Sequence, residues 1–302
     1  MRALAFAPLI VLAFAEPAMA HGVGGSANGW TLDPLITLPL ILGLVLFLAG
    51  WLRLRKRAAR GGARLGYRAG LFAIGWLVLA GALVSPLHRL GERSFAAHML
   101  EHELLMLAAA PLLVLAEPLA VLIWALPATG RQTVGAWSRA RPVRWIWKSA
   151  TDPVTATLVQ ASALWLWHTP ALFDLALTSP GWHIAQHLSF LVSALLFWTA
   201  VLPGRARNPG VAALCLFATS LVSGALGAMM AFAQSPWYVA YARLGMAPLG
   251  LSPLEDQQLA GMLMWVPGGL VHALAALAAM GQLLKTDPKS SFVAEPTLSE
   301  EA

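Results

Sequence analysis

The sequence predicts an all-α polytopic membrane protein with seven transmembrane helices, its N-terminus outside and its C-terminus in the cytoplasm. Three observations carry that reading. Of 302 residues, 58% are hydrophobic and only 11% charged, with a mean hydropathy of +0.68, whereas a soluble domain carries roughly 25% charged residues. Seven apolar stretches approach or exceed the ~20 residues that span a bilayer core. Basic side chains alternate without a break across the gaps between those stretches, as the positive-inside rule requires.

Taken in order, residues 1–20 read as a cleavable signal peptide. Arg2 is the positive end, Leu4 to Phe14 the apolar region, and Ala18-Met19-Ala20 the small-residue cleavage site. Residues 21–33 then form a short extracytoplasmic segment. The transmembrane domain occupies 34–285, with spans at 34–52, 69–87, 95–116, 153–169, 182–202, 210–232 and 258–284. The run Pro118–Pro127 is apolar but too short to cross, and reads as interfacial or re-entrant. The tail 286–302 is polar, acidic at its end, and reads as a disordered cytoplasmic extension.

Charge fixes the orientation. Seven basic residues from Arg53 to Arg68 lie between spans one and two, and five from Arg131 to Lys148 between three and four. Arg205 and Arg207 follow span five, and Lys285 and Lys289 follow span seven. The opposite side holds only Arg89, Arg93 and Arg243. Trp51 and Trp198 at inner ends, and Trp165, Trp167 and Trp182 at outer ends, fit as interfacial anchors. The excess of 20 Lys+Arg over 14 Asp+Glu is thus a topology signal, and nucleic acid is not an expected partner. A single cysteine, Cys215, excludes a disulfide framework and any CxxC motif.

This topology gathers the histidines at the outer face. His98 and His102 lie in the first turns of span three, and His183 and His187 open span five; each pair is spaced four residues apart and so shares one helix face. His168 closes span four, His88 follows span two, and His272 lies deeper in span seven. Two facing pairs offer up to four imidazole ligands, suited to copper, zinc or iron. Glu101, Glu103, Asp174 and Asp256 are carboxylates placed to ligate or to orient an imidazole. Met262 and Met264 near the outer start of span seven add thioethers, and imidazole with thioether selects copper. Cleavage after Ala20 would leave His21 as an N-terminal copper chelate. Other roles stay open: His88 and His272 as helix–helix hydrogen bonds, the pairs as a polar network, the methionines as packing. The Pro267-Gly268-Gly269 break serves either packing or a widening for a cofactor. There is no His-Glu-x-x-His zinc motif, no Gly-x-Ser-x-Gly and no phosphate loop, and no enzyme activity is expected.

Four blocks resemble the CtaG family of cytochrome c oxidase assembly factors: SPLHRLGERSFAAHMLEHELLMLAAAPLLVLAEPL (85–119), WLWHTPALFDLAL (165–177), WHIAQHLSFLVSALLFW (182–198) and DQQLAGMLMWVPGGLVHALAAL (256–277). The resemblance covers about residues 34–285. It implies a seven-helix protein of the bacterial cytoplasmic (inner) membrane that matures a caa-type, copper-containing oxidase. The family-like polar positions are His98, His102, His168, His183, His187, Asp256 and His272. Joined to the histidine pattern, it implies an assembly factor that binds copper at its outer face and delivers it to an oxidase subunit docking on loop 233–256. The alternatives are bis-histidine haem b ligation and a metal-free scaffold.

Overall fold

Prolines and short polar side chains set where the helices begin. Pro34, Pro86, Pro118, Pro153, Pro170, Pro180, Pro209 and Pro253 each open a helix, where the missing N–H has no intrahelical partner to lose. Side-chain oxygens of Asp33, Ser85, Ser94, Asp152 and Asn208 accept from N–H groups of the turns that follow. The computed structural model describes residues 29–57, 62–204 and 206–286. The signal segment 1–20, His21 and tail residues 287–302 lie outside the described residues.

The described chain forms α1 (Pro34–Arg57), α2 (Gly62–Val84), α3 (Pro86–Gly91), α4 (Phe95–Ala116), α5 (Pro118–Ala125), α6 (Ala128–Arg139) and α7 (Arg141–Ala150). It continues as α8 (Pro153–Trp167), α9 (Pro170–Thr178), α10 (Pro180–Val201), α11 (Pro209–Ala231), α12 (Val239–Leu244) and α13 (Pro253–Thr286). Six of these are long and apolar enough to cross a membrane: α1, α2, α4, α10, α11 and α13. The predicted fourth stretch differs. Asp152 caps its start and Pro170 opens a new helix just beyond its end, so α8 has 15 residues. At 1.5 Å per residue that is about 22 Å, short of the ~30 Å hydrocarbon core. It nonetheless packs against α10 and α11, burying Ala156, Gln160 and Leu164.

The run after α4 is the short helix α5, and it lies on α1. A Cβ at Gly50 would sit 2.0 Å from Val121 O, so only glycine admits this approach. Arg53 completes the joint by donating to the carbonyls of Trp124, Ala125 and Leu126 at 3.1, 2.6 and 3.3 Å. At the other side of the bundle Gly227 and Gly261 face each other across α11 and α13. A Cβ on Gly261 would lie 2.5 Å from Gly227 O, the close contact that small residues give membrane helices. The helix α13 runs on through Pro267.

Between His102 and its C-terminal end, α4 loosens into a π-helical turn at Leu104–Ala109. Pro111 accounts for it. Ala110 N–H bonds Leu105 O, and in that register the next acceptor, Met106 O, would meet Pro111, which has no N–H. Trp198 Nε1 on α10 supplies the missing donor to Met106 O at 2.8 Å. Trp198 is therefore 2% exposed, a buried strut and not the interfacial anchor its position suggests. Trp165 and Trp182 do reach the surface, at 39% and 46% exposure.

Candidate metal centre

The four paired histidines meet. Four-residue spacing puts His98 and His102 on one face of α4, and His183 and His187 on the facing side of α10. Ring centroids lie 4.4 Å apart within each pair. Between the pairs they are 4.9 Å apart for His102 and His187, 5.3 Å for His98 and His183, and 5.8 Å for His98 and His187. One nitrogen from each of His98, His183 and His187 lies within 4.8 Å of the other two. Nitrogens around a tetrahedral ion at 2.0–2.1 Å are about 3.3 Å apart, so the trio needs to close by at most about 1.5 Å. The four rings belong to buried or half-buried residues, and His98 and His102 are each 1% exposed.

Hydrogen bonds fix which nitrogens face inward. Tyr241 on α12 donates its hydroxyl to Gly91 O at 2.5 Å and lies 3.1 Å from His98 Nδ1. With its proton committed to a carbonyl, the phenol can only accept from His98 Nδ1–H, which leaves the His98 Nε2 lone pair free. Burial, and then the charges of Asp256, Glu101 and Glu92, hold the Tyr241 phenol well above its ordinary pKa, so it stays the donor. His187 Nδ1–H donates to His183 O at 3.2 Å, and its Nε2 faces Glu101 Oε1. Nε2 of His98 and His183 and both nitrogens of His102 have no hydrogen-bond partner.

Glu101, 1% exposed, is the buried counter-charge. Its Oε1 accepts from His88 Nδ1 at 2.8 Å and lies 3.2 Å from His187 Nε2. His88 on α3 stacks on His183 with centroids 5.4 Å apart. Burial pulls the His88 pKa down, but the hydrogen bond to Glu101 and its charge outweigh this and raise it.

The other candidate residues lie elsewhere. Asp256, 3% exposed, accepts from Ser94 Oγ at 2.8 Å, Phe95 N at 2.5 Å and Ala96 N at 3.3 Å. It caps the N-terminus of the helix that carries His98, Glu101 and His102. Asp174 accepts from Ala240 N at 3.3 Å and ties α9 to α12. His168 is separated from the cluster by Phe173 and Phe190, which touch both. Its Nδ1–H donates to Leu164 O at 2.7 Å, and its Nε2 lies 3.3 Å from Met99 Sδ. Met262 turns outward at 48% exposure, and Met264 is buried in the apolar core. Glu103 and His272 border a separate cavity.

A family described as cytochrome c oxidase caa3 assembly factor (Caa3_CtaG) matches residues 45–286. The chain belongs to that family. No curated protein and no solved structure matches it. An oxidase partner and a membrane setting follow for this assembly factor from its family and from its six long apolar helices. Its histidine cluster contains one member that sequence spacing leaves aside, His88, and one support, Tyr241, that spacing does not suggest. Gln186, fully buried between His183 and His187 with neither amide atom hydrogen-bonded, is another polar group that a histidine search passes over.

Proposed function

We propose that this assembly factor binds copper at the outer end of the bundle and hands it to an oxidase subunit. The observation that carries the reading is the convergence of three imidazoles, from two helices, each with a nitrogen within 4.8 Å of the others, beside a buried carboxylate. Imidazole suits copper, and the buried Glu101 carboxylate supplies a negative charge beside the ion. His98, His183 and His187 would hold the ion, with His102 and Glu101 placed to join or leave its ligand set. Direct packing of the rings supports a single ion over haem b, because a ligand the size of a porphyrin needs a pocket of roughly 300 Å³ or more. The orientation completes the reading: α8 with the turn after it makes the seventh crossing, N-terminus outside and C-terminus inside the bacterial cytoplasmic membrane. Loop 233–256 then covers the site from outside. Tyr241 faces His98 beneath it, while Val239, Leu244, Met246 and Leu249 remain exposed above, an apolar face for the client subunit.

The test is made in cells lacking the native chain. Cells carrying His98→Ala/His183→Ala/His187→Ala should assemble an oxidase deficient in copper while wild-type copies restore it. An oxidase with its full copper complement in the variant strain overturns copper delivery and leaves a scaffold.

A further inference from the structure

A second set of unpartnered groups meets deeper in the bundle. A cavity of about 20 Å³ is lined by Glu103, Gln160, Thr219, Ser223, Gly268 and His272, from α4, α8, α11 and α13. Glu103 lies eight residues into α4, so the cavity is about 12 Å along that helix from Phe95. Glu103 directly precedes the π-helical turn, a distortion that recurs at functional sites. Gly268 makes room for the carboxylate: a Cβ there would lie 3.4 Å from Glu103 Oε2.

Several of the polar groups that line this space present lone pairs. His272 Nδ1–H donates to Gly268 O at 2.7 Å, so Nε2 presents a lone pair. Thr219 and Ser223 donate their hydroxyl protons to Cys215 O at 2.9 Å and Thr219 O at 2.8 Å, leaving oxygen lone pairs. Glu103 Oε2, Gln160 Oε1 and His272 Nε2 are buried without any partner. His272 is 2% and Gln160 6% exposed.

The cavity has room for about one water or one ion, since a water needs ~10–15 Å³. One water can donate two hydrogen bonds to these groups. A cation ligated by all three satisfies them together and gives the Glu103 carboxylate a counter-charge in the membrane interior. The imidazole favours a first-row transition metal over magnesium or calcium, which take oxygen ligands. We infer that Glu103, Gln160 and His272 form a second, deeper site for a single transition-metal ion. It shares no ligand with the outer histidines and stands whether or not they carry copper.

The probe is Co(II), whose visible bands report nitrogen and oxygen ligation, with metal per chain counted after desalting the detergent-purified full-length protein. The His98→Ala/His183→Ala/His187→Ala variant should keep about one ion. Adding Glu103→Gln or, independently, Gln160→Leu should weaken that ion at least ten-fold. An anomalous difference map at the cobalt edge should place it between Glu103 and His272. A folded triple-histidine variant that binds no cobalt, or a cavity occupied by water alone in that map, overturns the inference. A wild-type protein that binds only the inner ion bears against copper binding at the outer histidines and leaves this inference standing.

Discussion

Replacing Asp256 with alanine tests how the site is held. Asp256 lies on α13, yet its carboxylate accepts from Ser94 Oγ, Phe95 N and Ala96 N at the start of α4. All of these groups are buried, so water cannot replace the lost acceptor. The Ser94 hydroxyl can rotate and still accept from Ala97 N, leaving two orphaned backbone N–H groups at about 1–3 kcal/mol each. The expected loss is therefore about 2–6 kcal/mol, above the ~1 kcal/mol of an ordinary N-cap deletion because this cap is buried. Asp256→Asn keeps one acceptor oxygen and should cost about 1 kcal/mol. Because His98 begins one turn after the cap, the alanine variant should also bind metal 10–100-fold more weakly, as expected when a ligand loses its support. Thermal unfolding in detergent measures the first effect and copper titration the second. An alanine variant that unfolds at the wild-type temperature refutes the capping argument, and one that unfolds early but binds copper normally refutes the link to the site.

Tyr241→Phe removes the acceptor that holds His98 Nδ1–H and the donor to Gly91 O, so it should weaken copper binding about ten-fold and destabilise the fold by about 1–3 kcal/mol; unchanged affinity would remove Tyr241 from the support of the site. Trp198→Phe leaves Met106 O without a donor and should destabilise the protein by about 1–3 kcal/mol, read from thermal unfolding. The His88 pKa is raised in the folded state, so the His88–Glu101 pair contributes stability that is fully present below the ordinary value of about 6.5 and is lost as pH rises through the folded value. Unfolding temperature of the metal-free protein should fall over that alkaline range, and His88→Gln should flatten the fall.

Periodicity and charge made the helices legible, because hydrocarbon length and basic side chains act locally on each stretch. The paired histidines were legible for the same reason: four-residue spacing fixes their common face before any tertiary contact exists. What spacing cannot carry is partnership between distant residues. Asp256 and Ser94 are separated by 162 positions, so a carboxylate that caps α4 looks in sequence like one that orients a metal ligand. His88 and His183 stack from different elements, and a single histidine gives no sign of that. The π-helical turn left a clue in Pro111, set within an apolar run that otherwise reads as straight helix. Trp198 followed from the same proline, since a freed carbonyl needs a donor. The length of α8 was fixed by Asp152 and Pro170, whose meaning as boundaries an apolar window smooths over.

The most direct measurement of the central claim is copper K-edge X-ray absorption on the Cu(I)-loaded protein beside its His98→Ala/His183→Ala/His187→Ala variant. The wild-type protein should show two to three nitrogen scatterers at about 2.0 Å, and the variant should lose that imidazole shell. An identical spectrum from the variant, or copper surrounded by sulfur alone, would contradict a histidine-built copper site.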